Sequence, residues 1–278
     1  MIFVTGATGN VGRELVRVLA QSGQPVRALI RRDDDRARLP AGAEGFIGDL
    51  NDPRSLAPGL AGVRAAHLLA GYDGLGELLA AMRDAGVQRV TLQSSSAVPA
   101  GDIDNAVARY HILSERAFRE SGLAWTFLQP NSFMTNTLRW LPQLHAGDTV
   151  RLPFAGVPIA TVDPADIAEV AASALTTGHH EGRSYRLSGP ESLLPAEQVA
   201  IVGAAIGRDL RFEAQSDEEA RAEMTEAMPP EYVDAFFSFF ADGTVDESTV
   251  LPTVQEVLGR PPRRLEDWAR ANAGAFRA

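Results

Sequence analysis

The chain has 278 residues, 45% of them hydrophobic, a formal net charge of −10 and no cysteine. That apolar content suits a folded α/β domain with a small lobe and argues against intrinsic disorder, while disulfides, thiolate nucleophiles and cysteine-held metals are excluded. All 26 basic residues are arginine, so a lysine Schiff base, a phosphate-loop lysine and a Tyr–Lys pair are impossible, and an acidic chain without an arginine stripe disfavours nucleic-acid binding.

Strand-like and helix-like segments alternate along the chain. IFVT (2–5) is a short apolar strand. A helix follows, with Val11, Leu15, Val18 and Leu19 on one face at i, i+4, i+7 and i+8. Further strands read as PVRALI (25–30), GFIGD (45–49), AAHLLA (65–70), RVTLQ (89–93) and AWTFLQ (124–129), with SYRLS (184–188) joining late. Helical periodicity falls at 77–84 and 105–121. Such alternation predicts a doubly wound, parallel α/β sheet. After Pro130 prolines break the pattern into short pieces, with helices at 163–175 and 194–207. Residues 1–130 are expected to form the sheet core. Residues 131–278 are expected to form a small substrate lobe, interleaved with the late strands in one compact unit. No apolar run approaches the ~20 residues of a membrane span, and no signal peptide is visible, so a soluble, cytoplasmic protein is expected.

TGATGNVG (5–12) joins the first strand to the first helix, with glycines at 6, 9 and 12. Gly6 suits the tight turn, Gly9 allows backbone approach to a diphosphate, and Gly12 allows close helix packing. The helix N-terminus then offers free N–H groups to the anion. Strand, loop and amphipathic helix agree, so a Rossmann-like dinucleotide site is expected. The second strand ends on Arg31 and Arg32, where an acid would grip the ribose of NAD. Two guanidinium groups suit a 2′-phosphate, and NADP(H) is preferred over NAD(H); the other reading is that they are solvated charges balanced by Asp33, Asp34 and Asp35. Asp49 could accept from the adenine amino group or simply cap a turn.

TGATGNVG, the Arg pair, GDL (48–50), SSS (94–96), SGLAWTFLQPNSFM (121–134), VDPADIAEVA (162–171), YRLSGPE (185–191) and GRPPRRLEDWA (259–269) together resemble the NmrA-like, atypical short-chain dehydrogenase/reductase group over nearly the whole chain. The resemblance implies a cofactor-binding set of Gly6, Thr8, Gly9, Asn10, Val11, Gly12, Arg31, Arg32, Asp49, Leu50, Ala70, Gly71, Ser94, Pro130 and Asn131. It also implies an NADPH-dependent oxidoreductase of quinone-like or polycyclic aromatic small molecules. NADP-sensing regulators without turnover share the group, and a tailoring enzyme of aromatic natural products using oxygenation or isomerisation is a further alternative.

Two departures matter. Gln129-Pro130 stands where the group often has Arg-Pro. Tyr110 is followed four residues later by Ser114, where related enzymes often carry lysine; His111 and Glu115 instead match a His-x-x-x-Glu pattern of dye-reductase-like members. The catalytic candidates are Ser96, at the position of the superfamily's catalytic serine, with Tyr110 and His111 as acids. His111 and Glu115 lie one turn apart and could pair, leaving a protonated histidine as donor; each candidate also has a purely structural reading. Lacking an activated acid, the site is expected to favour electron-poor conjugated acceptors over simple ketones. Asn131, Phe133, Met134, Phe154, Tyr232, Phe236 and Phe240 are expected to border a flat aromatic substrate. His179-His180 resembles a metal pair, but no other ligand stands near it in sequence and no metal is expected. Asp163 and Asp166 read as helix caps. Oligomeric state is open.

Overall fold

The fold is described from a computed structural model, in which residues 1–276 are described. Seven strands form one sheet: β1 (Ile2–Val4), β2 (Val26–Ile30), β3 (Ala43–Ile47), β4 (Ala65–Leu69), β5 (Arg89–Gln93), β6 (Ala124–Pro130) and, later in the chain, β8 (Arg183–Leu187). Their order is β3-β2-β1-β4-β5-β6-β8, and the registered pairs β1–β2, β1–β4, β2–β3, β4–β5 and β5–β6 are all parallel. The expected doubly wound sheet is therefore present. Its order reverses between β1 and β4, the crevice where such sheets bind ligands.

Two compact units divide the chain. The first comprises 1–98, 110–130 and 164–186. It holds the sheet with helices α1 (Asn10–Gln21), α2 (Pro53–Leu56), α3 (Leu75–Asp84), most of α4 (Ala106–Glu120) and α6 (Pro164–Thr176). The second comprises 99–109, 131–163 and 187–278. In this division 99–109 group with the second unit and 164–186 with the first. Helix α6 explains the return, because it packs along α1 within the first unit and is apolar nearly all round, with Ile167, Ala168, Val170, Ala171 and Leu175 buried.

On the other sheet face, Phe3, Leu68, Leu92 and Phe127 meet Leu56, Leu78, Leu79, Met82 and Phe118 in one apolar core. α1 shows why its sequence is helical: Val11, Leu15, Val16 and Leu19 form a buried stripe while Arg13 and Gln21 stay exposed.

The second unit contains α5 (Leu141–Ala146), β7 (Thr149–Leu152), α7 (Pro195–Ile206), β9 (Arg211–Ala214), α8 (Asp217–Ala227), α9 (Pro230–Phe240), α10 (Thr253–Leu258) and α11 (Leu265–Ala271). β7 and β9 pair in parallel as a separate two-stranded sheet. Trp140, Leu144, Val150, Val199, Val202 and Trp268 are among the residues of its main core. α8 opens with a reciprocal capping box, Ser216 accepting from the Glu219 N–H and the Glu219 carboxylate accepting from the Ser216 N–H. No helix among the described residues is long and apolar enough to cross a membrane.

Candidate active site

The glycine loop opens α1 at the C-terminal end of β1. Gly6 has φ +62° and its carbonyl accepts from the Gly9 N–H at 2.8 Å. A Cβ on Gly12 would lie 2.1 Å from the Gly6 carbonyl oxygen, so the first helical turn presses directly on the loop backbone. Gly9, the N-cap, makes no side-chain cap to the helix, and no acid lies in the first turn. The orphan N–H groups and the positive end of the helix dipole are therefore not neutralised by a capping side chain. These residues fit a dinucleotide diphosphate. Thr8 is half-buried, Asn10 exposed, and the Val11 side chain buried, leaving Val11 its backbone to offer.

Arg31 and Arg32 are exposed at the end of β2 and have no ion-pair partner among the described residues. Two of the three neighbouring acids serve other arginines: Asp33 pairs with Arg36 at 2.6 Å and Asp35 with Arg38 at 3.3 Å. Asp49 is exposed and its Oδ1 accepts from the Asn51 N–H at 2.9 Å, which makes it a turn-capping side chain here. The Leu50 side chain belongs to the apolar core, leaving its backbone to face a ligand.

At the ends of β5 and β6 the candidates come together. The ladder continues past β5, with the Ser94 N–H donating to the Leu128 carbonyl at 2.7 Å and the Ser96 N–H to the Pro130 carbonyl at 3.1 Å. Ser94 and Ser96 are both buried. Glu115 of α4 is completely buried, yet three groups satisfy it. Ser94 Oγ donates to it at 2.6 Å, Gln129 Nε2 at 2.8 Å and Arg119 at 2.8 Å. The Arg119 guanidinium also lies over the Phe127 and Trp125 rings, 4.7 and 5.3 Å from their centroids. Gln129, the departure from Arg-Pro, thus points its side chain at Glu115, and Arg119 delivers the countercharge from the surface instead.

Two expectations for α4 need correction. Glu115 pairs with Ser94, Gln129 and Arg119 rather than with His111. His111 is not a protonated donor near neutrality: its Nδ1 is buried without a hydrogen-bond partner and burial pushes its pKa down to about 4. Tyr110 is half-buried and its ring lies against that of His111, centroids 4.2 Å apart. Ser114, one turn on, donates to the Tyr110 carbonyl at 2.7 Å and accepts from the Gly71 N–H at 3.2 Å. Ala70 and Gly71 form the turn after β4, and a groove of about 310 Å³ beside it is lined by Gly71, Tyr72, Asp73, Tyr110, Leu113 and Ser114 among others. Pro130 ends β6 in the interior.

The second unit holds the expected substrate residues. Phe154 sits in the left-handed region, φ 55°, and its ring meets Phe237 edge-on at 5.0 Å and Phe240 at 5.4 Å. Keeping a phenylalanine there costs about 1–3 kcal/mol and requires firm surroundings. Tyr232, Phe236 and Phe240 are half-buried on α9, whereas Phe237 and Phe239 are buried. Phe133 is half-buried. Met134 is buried in the second unit's apolar core with Trp140 and Leu144. Asn131 is buried too. Its Nδ2 donates to the Glu247 carbonyl at 3.0 Å and the Ala160 carbonyl at 3.3 Å, and its Oδ1 has no partner. A separate groove of about 430 Å³, lined by Arg221, Thr225, Pro230, Val233 and Asp234 among others, contains none of the expected residues.

His180 is structural: its ring nitrogens meet Tyr185 Oη at 2.8 Å and Ser173 Oγ at 3.2 Å. Asp163 is buried directly before α6, 3.9 Å from the Arg263 guanidinium, and Asp166 is fully buried in the first turn. No metal-ligand cluster occurs among the described residues.

Residues 6–178 match the model of a family described as NAD(P)H-binding. A (4-alkanoyl-5-oxo-2,5-dihydrofuran-3-yl)methyl phosphate reductase of Streptomyces griseus is 40% identical over 99% of both chains. An NAD(P)H azoreductase of Xenophilus azovorans is 35% identical over the full length of both. Among solved structures, an NADPH-dependent quinone oxidoreductase of Escherichia coli superposes with a TM-score of 0.81 at 21% identity, covering 98% of this chain and 99% of the other. The chain belongs to the NAD(P)H-binding family and is an oxidoreductase using NAD(P)H.

Proposed function

We propose that the protein reduces an electron-poor, conjugated small molecule, quinone-like or polycyclic aromatic, with NADPH as the preferred donor. One observation carries this reading: the three α4 residues beside Tyr110 that could activate or supply a proton are engaged or neutral. The lysine position holds Ser114, whose hydroxyl is spent on the Tyr110 carbonyl; Glu115 is closed on three partners; burial holds His111 neutral. Bound NADPH supplies a hydride. Hydride addition to an isolated ketone leaves a strongly basic alkoxide that needs a good acid, whereas a quinone leaves a phenolate-like anion that does not. Ser96 is the hydroxyl proposed to hold the acceptor oxygen. Within the second unit, Phe154 packs against Phe240 at 5.4 Å, and Tyr232, Phe236 and Phe240 lie half-buried on α9.

The cofactor preference rests on Arg31 and Arg32, two guanidinium groups without an ion-pair partner among the described residues, whose neighbours Asp33 and Asp35 pair with other arginines. The names of the two relatives suit the acceptor class, since an unsaturated oxo-furan and an azo bond are both conjugated and electron-poor. Steady-state rates of NADPH consumption with menadione and with acetophenone test the reading. Menadione is expected to be the faster by at least ~100-fold; a faster ketone contradicts it.

A further inference from the structure

We propose that Ser114 is a positioning residue for the bound dinucleotide: it holds the turn at 70–72 in shape. This deepens the cofactor reading and rests only on NAD(P)H binding by the first unit, not on the acceptor class. β1 and β4 are neighbours at the point where the sheet order reverses, and ligands of doubly wound sheets lie there. The turn after β4 flanks the glycine loop. The Leu69 N–H donates to Thr5 Oγ1 at 3.2 Å, and a Cβ on Gly6 would lie 2.8 Å from the Leu69 side chain.

The shape of the turn depends on α4. Gly71 has φ +89°, and a Cβ on it would lie 3.1 Å from the Tyr110 ring. Its N–H donates to Ser114 Oγ, whose own hydroxyl donates to the Tyr110 carbonyl. Ser114 is only 5% exposed, so its hydroxyl is held in place between the two groups. A hydroxyl performs this relay because it donates and accepts at once. An ammonium group only donates, and a lysine at 114 could not receive the Gly71 N–H. The serine is therefore a substitute with its own role at the lysine position. It closes the turn's amide on the protein, so the turn offers a ligand its carbonyl edge and its glycine surface but not that N–H.

The test is direct NADPH binding by fluorescence titration, with no acceptor present, beside thermal unfolding. Ser114→Ala is expected to weaken NADPH ~5- to 10-fold, the loss of one hydrogen bond, while its unfolding midpoint stays near wild type. Ser114→Thr, which keeps the hydroxyl, is expected to bind within ~2-fold of wild type. Gly71→Ala, which disturbs the same turn from the other side, is expected to weaken binding as well. Unchanged affinity in Ser114→Ala or in Gly71→Ala overturns the proposal, as does equal weakening in Ser114→Thr. Because no acceptor enters the titration, a wrong acceptor class leaves this result untouched.

Discussion

The glycine loop and helix α4 handle polar groups in opposite ways. In the loop, the N-cap glycine makes no side-chain cap and the first turn carries no acid, so neither competes with an anionic ligand there. On α4, Ser114 and Glu115 are buried and closed on protein partners. Open donors at a helix start supply binding energy for an anion. Closed networks supply rigidity, at the cost of leaving nothing free to titrate. The contrast explains how the site can grip a dinucleotide strongly while offering weak proton chemistry.

The largest expected effect comes from closing the loop. Gly12→Ala places a methyl against a backbone oxygen 2.1 Å away, which no side-chain rotation relieves. NADPH affinity is expected to fall by more than ~100-fold in fluorescence titration; near-normal affinity would mean the dinucleotide binds elsewhere. Breaking the closed network comes next. Glu115→Ala strands the Ser94 and Gln129 donors and the Arg119 charge, and should cost ~3 kcal/mol in urea unfolding. A loss below ~1 kcal/mol would show the network contributes little.

Acid should also weaken the fold. His67 is wholly buried in β4, its Nδ1 2.9 Å from Thr91 Oγ1, and burial lowers its pKa from 6.5 to about 4, as it does for His111. Both folded pKa values lie below the unfolded one. Stability is therefore full above pH 6.5 and is lost as pH falls from 6.5 towards about 4, by up to ~3 kcal/mol per histidine. Unfolding midpoints that stay flat across that window would contradict it. The smallest effect sharpens the loop side: Arg31→Ala with Arg32→Ala should cut the NADPH-over-NADH preference in kcat/KM by ~10- to 100-fold, and an unchanged ratio would assign the preference to other residues.

The same contrast sets what was legible in the sequence. The glycine loop was readable because its requirements are local: three glycines, a strand before and an amphipathic helix after. The seven strands of the main sheet were readable for the same reason, each being a short apolar run between turns. Helix α4 was not. Its network joins Ser94, Glu115, Arg119 and Gln129 from three elements, and the spacing of His111 and Glu115 suggested a nearer but absent partner. Met134 was equally hard to place, since a methionine in an irregular segment carries no periodicity to mark it as core. The β7–β9 pair escaped notice because TVRL and RFEA are four residues long and charged, so backbone pairing rather than an apolar pattern defines them.

The central claim is that the site transfers hydride without an ionised acid working near neutral pH. The pH dependence of kcat with NADPH and menadione tests it most directly. The account predicts a flat profile between pH ~6 and ~8, unchanged in His111→Gln. A falling rate across that range that disappears in His111→Gln would contradict it and return the histidine to the role of proton donor.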